Sequence, residues 1–396
     1  MSSQMIAIKA LQVITPLQDL RDAVVLVAGE KIAAVGPASD VSVPENARAI
    51  DVGNRIVAPG FLDLHNHGAV GAYAEESPAA VEKIAQYLVR TGTTSWLPTV
   101  HSQNGTEAVV AAKRAGTGTA DVLGVHMEGP FLAPKRVPGQ EAMDAGLRKP
   151  SLQLFDRFLE AADGHLKLMG VAPELPGALE LIGEMERSGV IPAVAHTKAS
   201  YEQFMAAVEA GARHVTHAYN VMTGFHHRRP GVVGGVLTCD QVTAELIADS
   251  FHVSPPAMDV LLRCKGIERV AVITDSTPLA GLPDGTYEVF GRKVIKKDGI
   301  SRIAGTTPDQ DNTMAGSEWP LNGNIRNLVE LVGVPLRDAI RMATMTPAKI
   351  IGLDGSKGSL EPGKDADLVV IDEQLTVYLT MVRGRVVYER SPGQAG

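Results

Sequence analysis

The sequence predicts an α/β protein: a (β/α)8 TIM barrel carrying a small β-sandwich domain built from both chain ends. Three observations predict it. Apolar, β-branched runs alternate with amphipathic stretches through the middle of the chain. Both ends read as short strands joined by tight turns. Side chains able to bind a metal recur at one end of the central runs.

The ends come first. Ala23–Val27 is followed by a Gly29-Glu30-Lys31 turn and Ile32–Val35, and Gly53-Asn54-Arg55 leads into Ile56-Val57. At the far end, Ala366–Ile371, Leu375–Val382 and Arg385–Tyr388 repeat the pattern. Residues 1–57 and 357–396 are therefore assigned to one discontinuous β domain, and residues 58–356 to the barrel. The barrel runs are Ala58–Leu64, Thr94–Val100, Val122–Met127, Leu166–Val171, Ile191–Ala195, His214–Thr216, Ala244–Ala248 and Val270–Thr274. Amphipathic candidates between them include Ala79–Arg90, Gly177–Arg187, Tyr201–Ala210 and Pro256–Cys264. The longest polar stretch, Thr306–Ser317, reads as a loop over one face.

Composition bounds the function. A chain of 396 residues with 45% apolar positions can bury one large core plus a smaller one. The net charge of -8 argues against a nucleic-acid partner. It leaves room for an anionic small molecule, because a local basic cluster can act against the global sign. No apolar run reaches a membrane span, and the start lacks the pattern of a signal peptide. Cys239 and Cys264 form no CxxC, so a reducing cytoplasm is the expected location.

Barrel enzymes carry their reactive groups where strands end at the C-terminal face. Here the first run ends in His65-Asn66-His67, the third in Glu128, the fifth in His196, the sixth in His217 and the eighth in Asp275; His252 follows the seventh closely. In His-x-His on a strand both imidazoles point to one face, so both can reach one cation. Glu128, His196 and His217 offer one oxygen and two nitrogens, a set that suits a divalent, zinc-like ion with an open position. Such an ion lowers the pKa of bound water. Asp275, not needed in that set, is free to act as general base and then general acid. His126 and His214 read as packing or supporting groups, and His165 as surface. His101 could face the site, but nothing in the sequence pairs it. The basic run His226-His227-Arg228-Arg229 suits phosphate oxygens, or equally a solvated loop. Lys135-Arg136 reads as solvent-facing.

These residues also carry a family resemblance. Ala58-Pro59-Gly60-Phe61-Leu62-Asp63-Leu64-His65-x-His67-Gly68 is similar to the opening motif of the amidohydrolase superfamily. His126-Met127-Glu128-Gly129-Pro130-Phe131-Leu132 resembles the signature of N-acetylglucosamine-6-phosphate deacetylases. So do Thr216-His217-Ala218-Tyr219-Asn220 with Met222, His227-Arg228-x-Pro230-Gly231, and Asp249-x-x-His252. The resemblance covers nearly the whole chain. It implies that Glu128, His196 and His217 hold a primary metal, that His65 and His67 hold a second one where two are present, and that Asp275 is the acid/base. It implies that His252 contacts a sugar, that Asn220 and the backbone near Val221 bind its phosphate, and that Arg228 reaches the site of a homodimer partner. The cofactor it implies is one or two divalent ions per subunit, zinc or iron, and the substrate is an amino-sugar phosphate.

The sequence departs from the family in two places. Pro138-Gly139-Gln140 stands where the family usually has Gly-Ala-His, so Gln140 replaces a sugar-contacting histidine. Gly316-Ser317-Glu318-Trp319-Pro320-Leu321 replaces the usual Gly-Ser-x-Leu-Thr-Met. Both leave the metal residues intact and bear on the sugar. The competing expectations are an amidohydrolase acting on a related N-acyl compound such as N-acetylgalactosamine 6-phosphate, and a non-catalytic scaffold on the same fold. A dinucleotide or phosphate-loop enzyme is excluded, because no glycine-rich fingerprint follows the first central strand.

Overall fold

The computed structural model describes residues 5–135, 141–289, 292–305 and 314–391. Eight parallel strands form the barrel: Phe61–Asn66, Thr93–Val100, Val125–Phe131, Leu166–Val171, Ile191–Val194, His214–Val215, Thr243–Ile247 and Val270–Ile273. Each pairs with the next in sequence. Their burial on both sides matches their near-continuous apolar character. The seam between the eighth strand and the first is closed by side chain and backbone together. Asp63, wholly buried, accepts hydrogen bonds from the Thr274 hydroxyl at 2.6 Å and the Thr274 N–H at 3.2 Å. One step on, the Asp275 N–H donates to the His65 carbonyl at 2.9 Å. Closure therefore brings the ends of the first and eighth strands side by side.

Helices form where the apolar residues recur at helical spacing, and serines start them. Ser77 caps Pro78–Leu88, Ser102 caps Gln103–Ala115, and Ser200 caps Tyr201–Ala210 in a reciprocal capping box with Gln203. Their buried faces join the strands in one large apolar core.

Both chain ends meet in one separate sheet. Leu368–Ile371 pairs antiparallel with Ile56–Pro59, which lies beside Met5–Ile14. All eight end strands share this hydrogen-bonded ladder rather than two separate ones. The ladder curls onto itself: the Ile32 N–H donates to Lys364 O at 2.9 Å, and the Ala366 N–H to Glu30 O at 2.8 Å. Ile8, Val13, Val25, Val370 and Met381 fill the space enclosed.

Three sequence readings change in detail. The run Ala58–Leu64 is split at Gly60, because Pro59 completes the end sheet while Phe61 starts the barrel. The third run breaks at Leu123-Gly124 and continues to Phe131. Of the polar stretch read as a loop, residues 306–313 lie outside the described residues, while Met314–Ser317 is a strand. It completes a four-stranded antiparallel sheet with Gly285–Val289, Arg292–Lys297 and Ile300–Ile303. Glu318 anchors that sheet to the barrel: its carboxylate meets Lys296 Nζ at 3.1 Å and accepts from Ser301 and Thr277.

A Cβ on Gly60 would lie 2.2 Å from both branches of the buried Thr94 side chain, so no small rotation relieves the clash. Gly60→Ala is expected to destabilise the fold by about 1–3 kcal/mol, read as a lowered urea midpoint with an unchanged slope.

Candidate metal centre

The barrel rim gathers the side chains that the sequence scatters. His65 Nε2 and His67 Nε2 lie 3.2 Å apart, with His65 in the first barrel strand and His67 one residue past its end. Asp275 Oδ1 is 3.4 Å from each. Glu128 Oε1 is 2.8 Å from His196 Nε2 and 3.0 Å from His217 Nε2, and those two nitrogens are 2.9 Å apart. The other Glu128 oxygen, Oε2, lies 3.3 Å from His67 Nε2. The four residues Glu128, His196, His217 and Asp275 thus converge, with His65 and His67 between them.

Local backbone conformation aims these groups. His196, His217 and Asp275 sit just past their strands with φ of 39°, 28° and 48°. Left-handed φ is uncommon for residues other than glycine and clusters at functional sites. Here it turns each side chain inward from the strand end. Tyr219 and the β-branched Val221, in the loop that follows, have φ of 76° and 50°.

A buried carboxylate supports the ligands from below. Glu245 Oε2 lies 2.9 Å from His65 Nδ1 and accepts from the His217 N–H at 3.0 Å, while Oε1 lies 3.2 Å from His214 Nε2. A carboxylate on Nδ1 fixes the imidazole tautomer that leaves Nε2 free to bind a cation. His214 and Glu245 thus have supporting places. His126 Nδ1 reaches the Leu64 carbonyl at 3.0 Å. Burial, reinforced by His65, pushes the His126 pKa down to about 3, so it stays neutral.

The electrostatics favour a cation. Burial alone would push Glu128 up, but His196 and hydrogen bonds from His101, His196 and His217 hold its carboxyl well below the usual range. Burial likewise opposes charge on His65, yet Glu245, Asp275 and Glu128 raise it to about 10. A proton on His65 and a divalent ion against its Nε2 are alternative ways to neutralise the same carboxylates. Burial, against the pull of Glu128, lowers His196 to about 3. The spacings of 2.8–3.4 Å also suit a shared ion, since tetrahedral donors at about 2.0–2.1 Å from zinc stand about 3.3 Å apart. The residues present fit a divalent metal.

Other expected site residues fall nearby or elsewhere. His252 Nδ1 pairs with Asp249 Oδ2 at 2.6 Å, and Asp249 Oδ1 also accepts the Phe251 and His252 N–H groups. This fixes the ring, and Asp249 raises the pKa of His252 against the effect of burial. Asn220 turns its amide nitrogen back to the His217 and Ala218 carbonyls, at 3.4 and 3.3 Å. Val221 O accepts the Thr197 N–H at 2.9 Å. Arg228 is exposed, with Nη1 2.8 Å from His227 Nε2. Gln140 lies outside the described residues.

One rim residue was not paired by sequence reasoning. His101 stands beside Glu75, 3.0 Å away, and its Nε2 lies 3.4 Å from Glu128 Oε2. The signal that could have found it is its place one residue past the second barrel strand. A cavity of about 490 Å³ opens at this side of the rim, bounded by Glu128, His196, His101 and Tyr73 and by the apolar walls Leu132, Leu147 and Phe158.

Comparison with known proteins matches this architecture. Residues 56–387 match the amidohydrolase family. The chain belongs to the amidohydrolase family. It is 35% identical over 386 residues to N-acetylgalactosamine-6-phosphate deacetylase of Escherichia coli O157:H7, covering 96% of this chain and 98% of that one. It is also 35% identical over 343 residues to N-acetylglucosamine-6-phosphate deacetylase of Bacillus subtilis (strain 168), covering 84% and 85%. A mutant of N-acetyl-D-glucosamine-6-phosphate deacetylase from Mycobacterium smegmatis, in complex with N-acetyl-D-glucosamine-6-phosphate, superposes with a TM-score of 0.87 at 29% identity over 97% of this chain and 100% of that one. This amidohydrolase therefore falls within the deacetylase branch, a group of metal-dependent hydrolases of carbon–nitrogen bonds. Among the described residues, no helix is long and apolar enough to cross a membrane.

Glu128 touches both histidines of the closest donor set, so its removal should empty that set. Glu128→Ala is expected to purify with near-zero bound divalent metal by elemental analysis, against at least one ion per wild-type chain. Equal metal content in the two would contradict the assignment.

Proposed function

We propose that this amidohydrolase hydrolyses the acetamide of N-acetyl-D-glucosamine 6-phosphate to glucosamine 6-phosphate and acetate. The observation that carries the reading is the position of Asp275: an acidic group 3.4 Å from His65 and His67, at the rim where Glu128, His196 and His217 meet. Glu128, His196 and His217 would hold a primary ion, and His65 and His67 a second. Zinc or iron suits this mix of nitrogen and oxygen donors. When bound, the metal supplies Lewis acidity towards the amide carbonyl and the attacking water.

The chain's own residues handle protons and position. Burial pushes Asp275 up, but His65, and His67 through charge and a hydrogen bond, hold it below the usual carboxylate range, so it begins as a base. Asp275 takes a proton from the attacking water and returns it to the nitrogen of the departing amine. His252, held by Asp249, would contact the sugar. Asn220, the Val221 backbone and Arg228 would receive the phosphate, Arg228 from the partner subunit of a homodimer. Gln140 can donate and accept hydrogen bonds at the sugar without carrying charge. The two free cysteines suit a reducing cytoplasm.

A second reading exchanges the epimer. N-acetylgalactosamine 6-phosphate is favoured by one fact: the relative that carries that name aligns with nearly the whole of both chains. An acetate-release assay on the two 6-phosphates decides between them. The proposal expects the higher kcat/KM on the gluco epimer; the reverse order would transfer the assignment to the galacto epimer.

Asp275→Asn is expected to lose about 10²–10⁴-fold in turnover, the typical worth of a positioned acid/base, while keeping wild-type metal content. Retained turnover would refute the role. Arg228→Ala is expected to raise KM, and at substrate well below that raised KM, mixing it with Asp275→Asn should restore activity. In mixed dimers one site then has both its own Asp275 and the partner's arginine, giving about a quarter of wild-type activity for random pairing. No recovery on mixing would place Arg228 in its own subunit's site or outside any site.

A further inference from the structure

We infer that His101, braced by Glu75, is an additional ligand of a second cation, which sits against Glu128 Oε2. The inference rests on the reading of the rim as a metal centre, and extends it to a residue outside the His-x-His pair.

The argument starts from tautomers. His67 Nδ1 lies 3.2 Å from the Thr99 carbonyl, an oxygen that only accepts. A neutral His67 would carry its proton on Nδ1, which leaves a lone pair on Nε2 for a cation. His101 Nδ1 lies 3.0 Å from Glu75 Oε2, and the carboxylate fixes the same tautomer. The two imidazole rings stack with centroids 5.0 Å apart and planes within 3°. Both free Nε2 atoms then face one oxygen, Glu128 Oε2, at 3.3 and 3.4 Å.

Glu128 Oε2 needs a proton or a cation between it and these two nitrogens. One divalent ion takes the place of that proton and accepts all three donors at once. The spacings of 3.3 and 3.4 Å to Glu128 Oε2 match two edges of a tetrahedron around such an ion, about 3.3 Å for bonds of about 2.0–2.1 Å. Glu128 would then face one ion with Oε1, beside His196 and His217, and another with Oε2, beside His67 and His101. Glu75, His101 and the ion reproduce the carboxylate–histidine–metal arrangement that orients ligands and raises their basicity.

The test is metal binding rather than turnover. Metal-depleted full-length protein is titrated with Zn²⁺ by calorimetry, and Co²⁺-loaded protein is followed by its visible absorption. Wild type is expected to take up two ions. His101→Ala should keep the ion assigned to His196 and His217, and lose at least about tenfold to a hundredfold in affinity for the other, with a changed Co²⁺ spectrum. Glu75→Gln should weaken the same ion by a smaller factor, and thermal melts establish that both variants are folded. Uptake of one ion by wild type, two ions bound unchanged by His101→Ala, or loss of the His196/His217 ion instead, each overturns the inference. Wild type that binds no ion would overturn the metal reading itself, which separates the two failures.

Discussion

The rim is organised by one buried carboxylate with a different set of neighbours at each oxygen. Glu128 Oε1 meets His196 and His217, and Oε2 meets His67 and His101. A charged carboxylate at that depth is costly unless cations or donors surround it. The fold answers that cost with imidazoles from the first, second, fifth and sixth strand ends. Among the described residues, Glu128 is therefore the one carboxylate that touches both halves of the rim.

The rest of the scaffold holds those groups in register. Asp63 ties the first strand to Thr274 on the eighth, which sets Asp275 beside His65. Glu245 braces His65 and the His217 backbone from the barrel interior. Left-handed backbone at His196, His217 and Asp275 trades local strain for inward aim. On the far side of Asp275, the Ser317 N–H donates to the Asp275 carbonyl at 3.1 Å, so the inserted four-stranded sheet abuts Asp275 directly. Gly316 is required there, since a Cβ would come within 2.1 Å of Thr277 Cγ2 and its φ is +73°. The altered Gly316–Leu321 segment is thus packed against Asp275.

Much of this was legible in the sequence, for definable reasons. Strand periodicity places His65 and His67 on one face, and barrel topology places Glu128, His196, His217 and Asp275 at one rim, so residue type and position sufficed. All eight barrel strands could be read because buried parallel strands are almost continuously apolar. What escaped depended on contacts between distant segments. Glu245 lies inside an apolar strand, and only the histidines packed against it reveal its use. His101 looked unpaired because Glu75 comes from the preceding loop, 26 residues earlier. The break at Gly60 is invisible to periodicity, since both strands on either side of it are buried and apolar. The inserted sheet was missed because its strands are short and half-exposed, with Gly285–Val289 alternating between intermediate and exposed positions.

The account stands on a cation held jointly by residues from three separate strands. Anomalous diffraction from crystals of the metal-loaded protein, collected at the zinc and iron absorption edges, locates such an ion directly. The account predicts a peak about 2.0–2.2 Å from Glu128 Oε1 and from the Nε2 atoms of His196 and His217. A peak bonded to other residues, or an acetate-releasing enzyme with no anomalous peak at this rim, would contradict it.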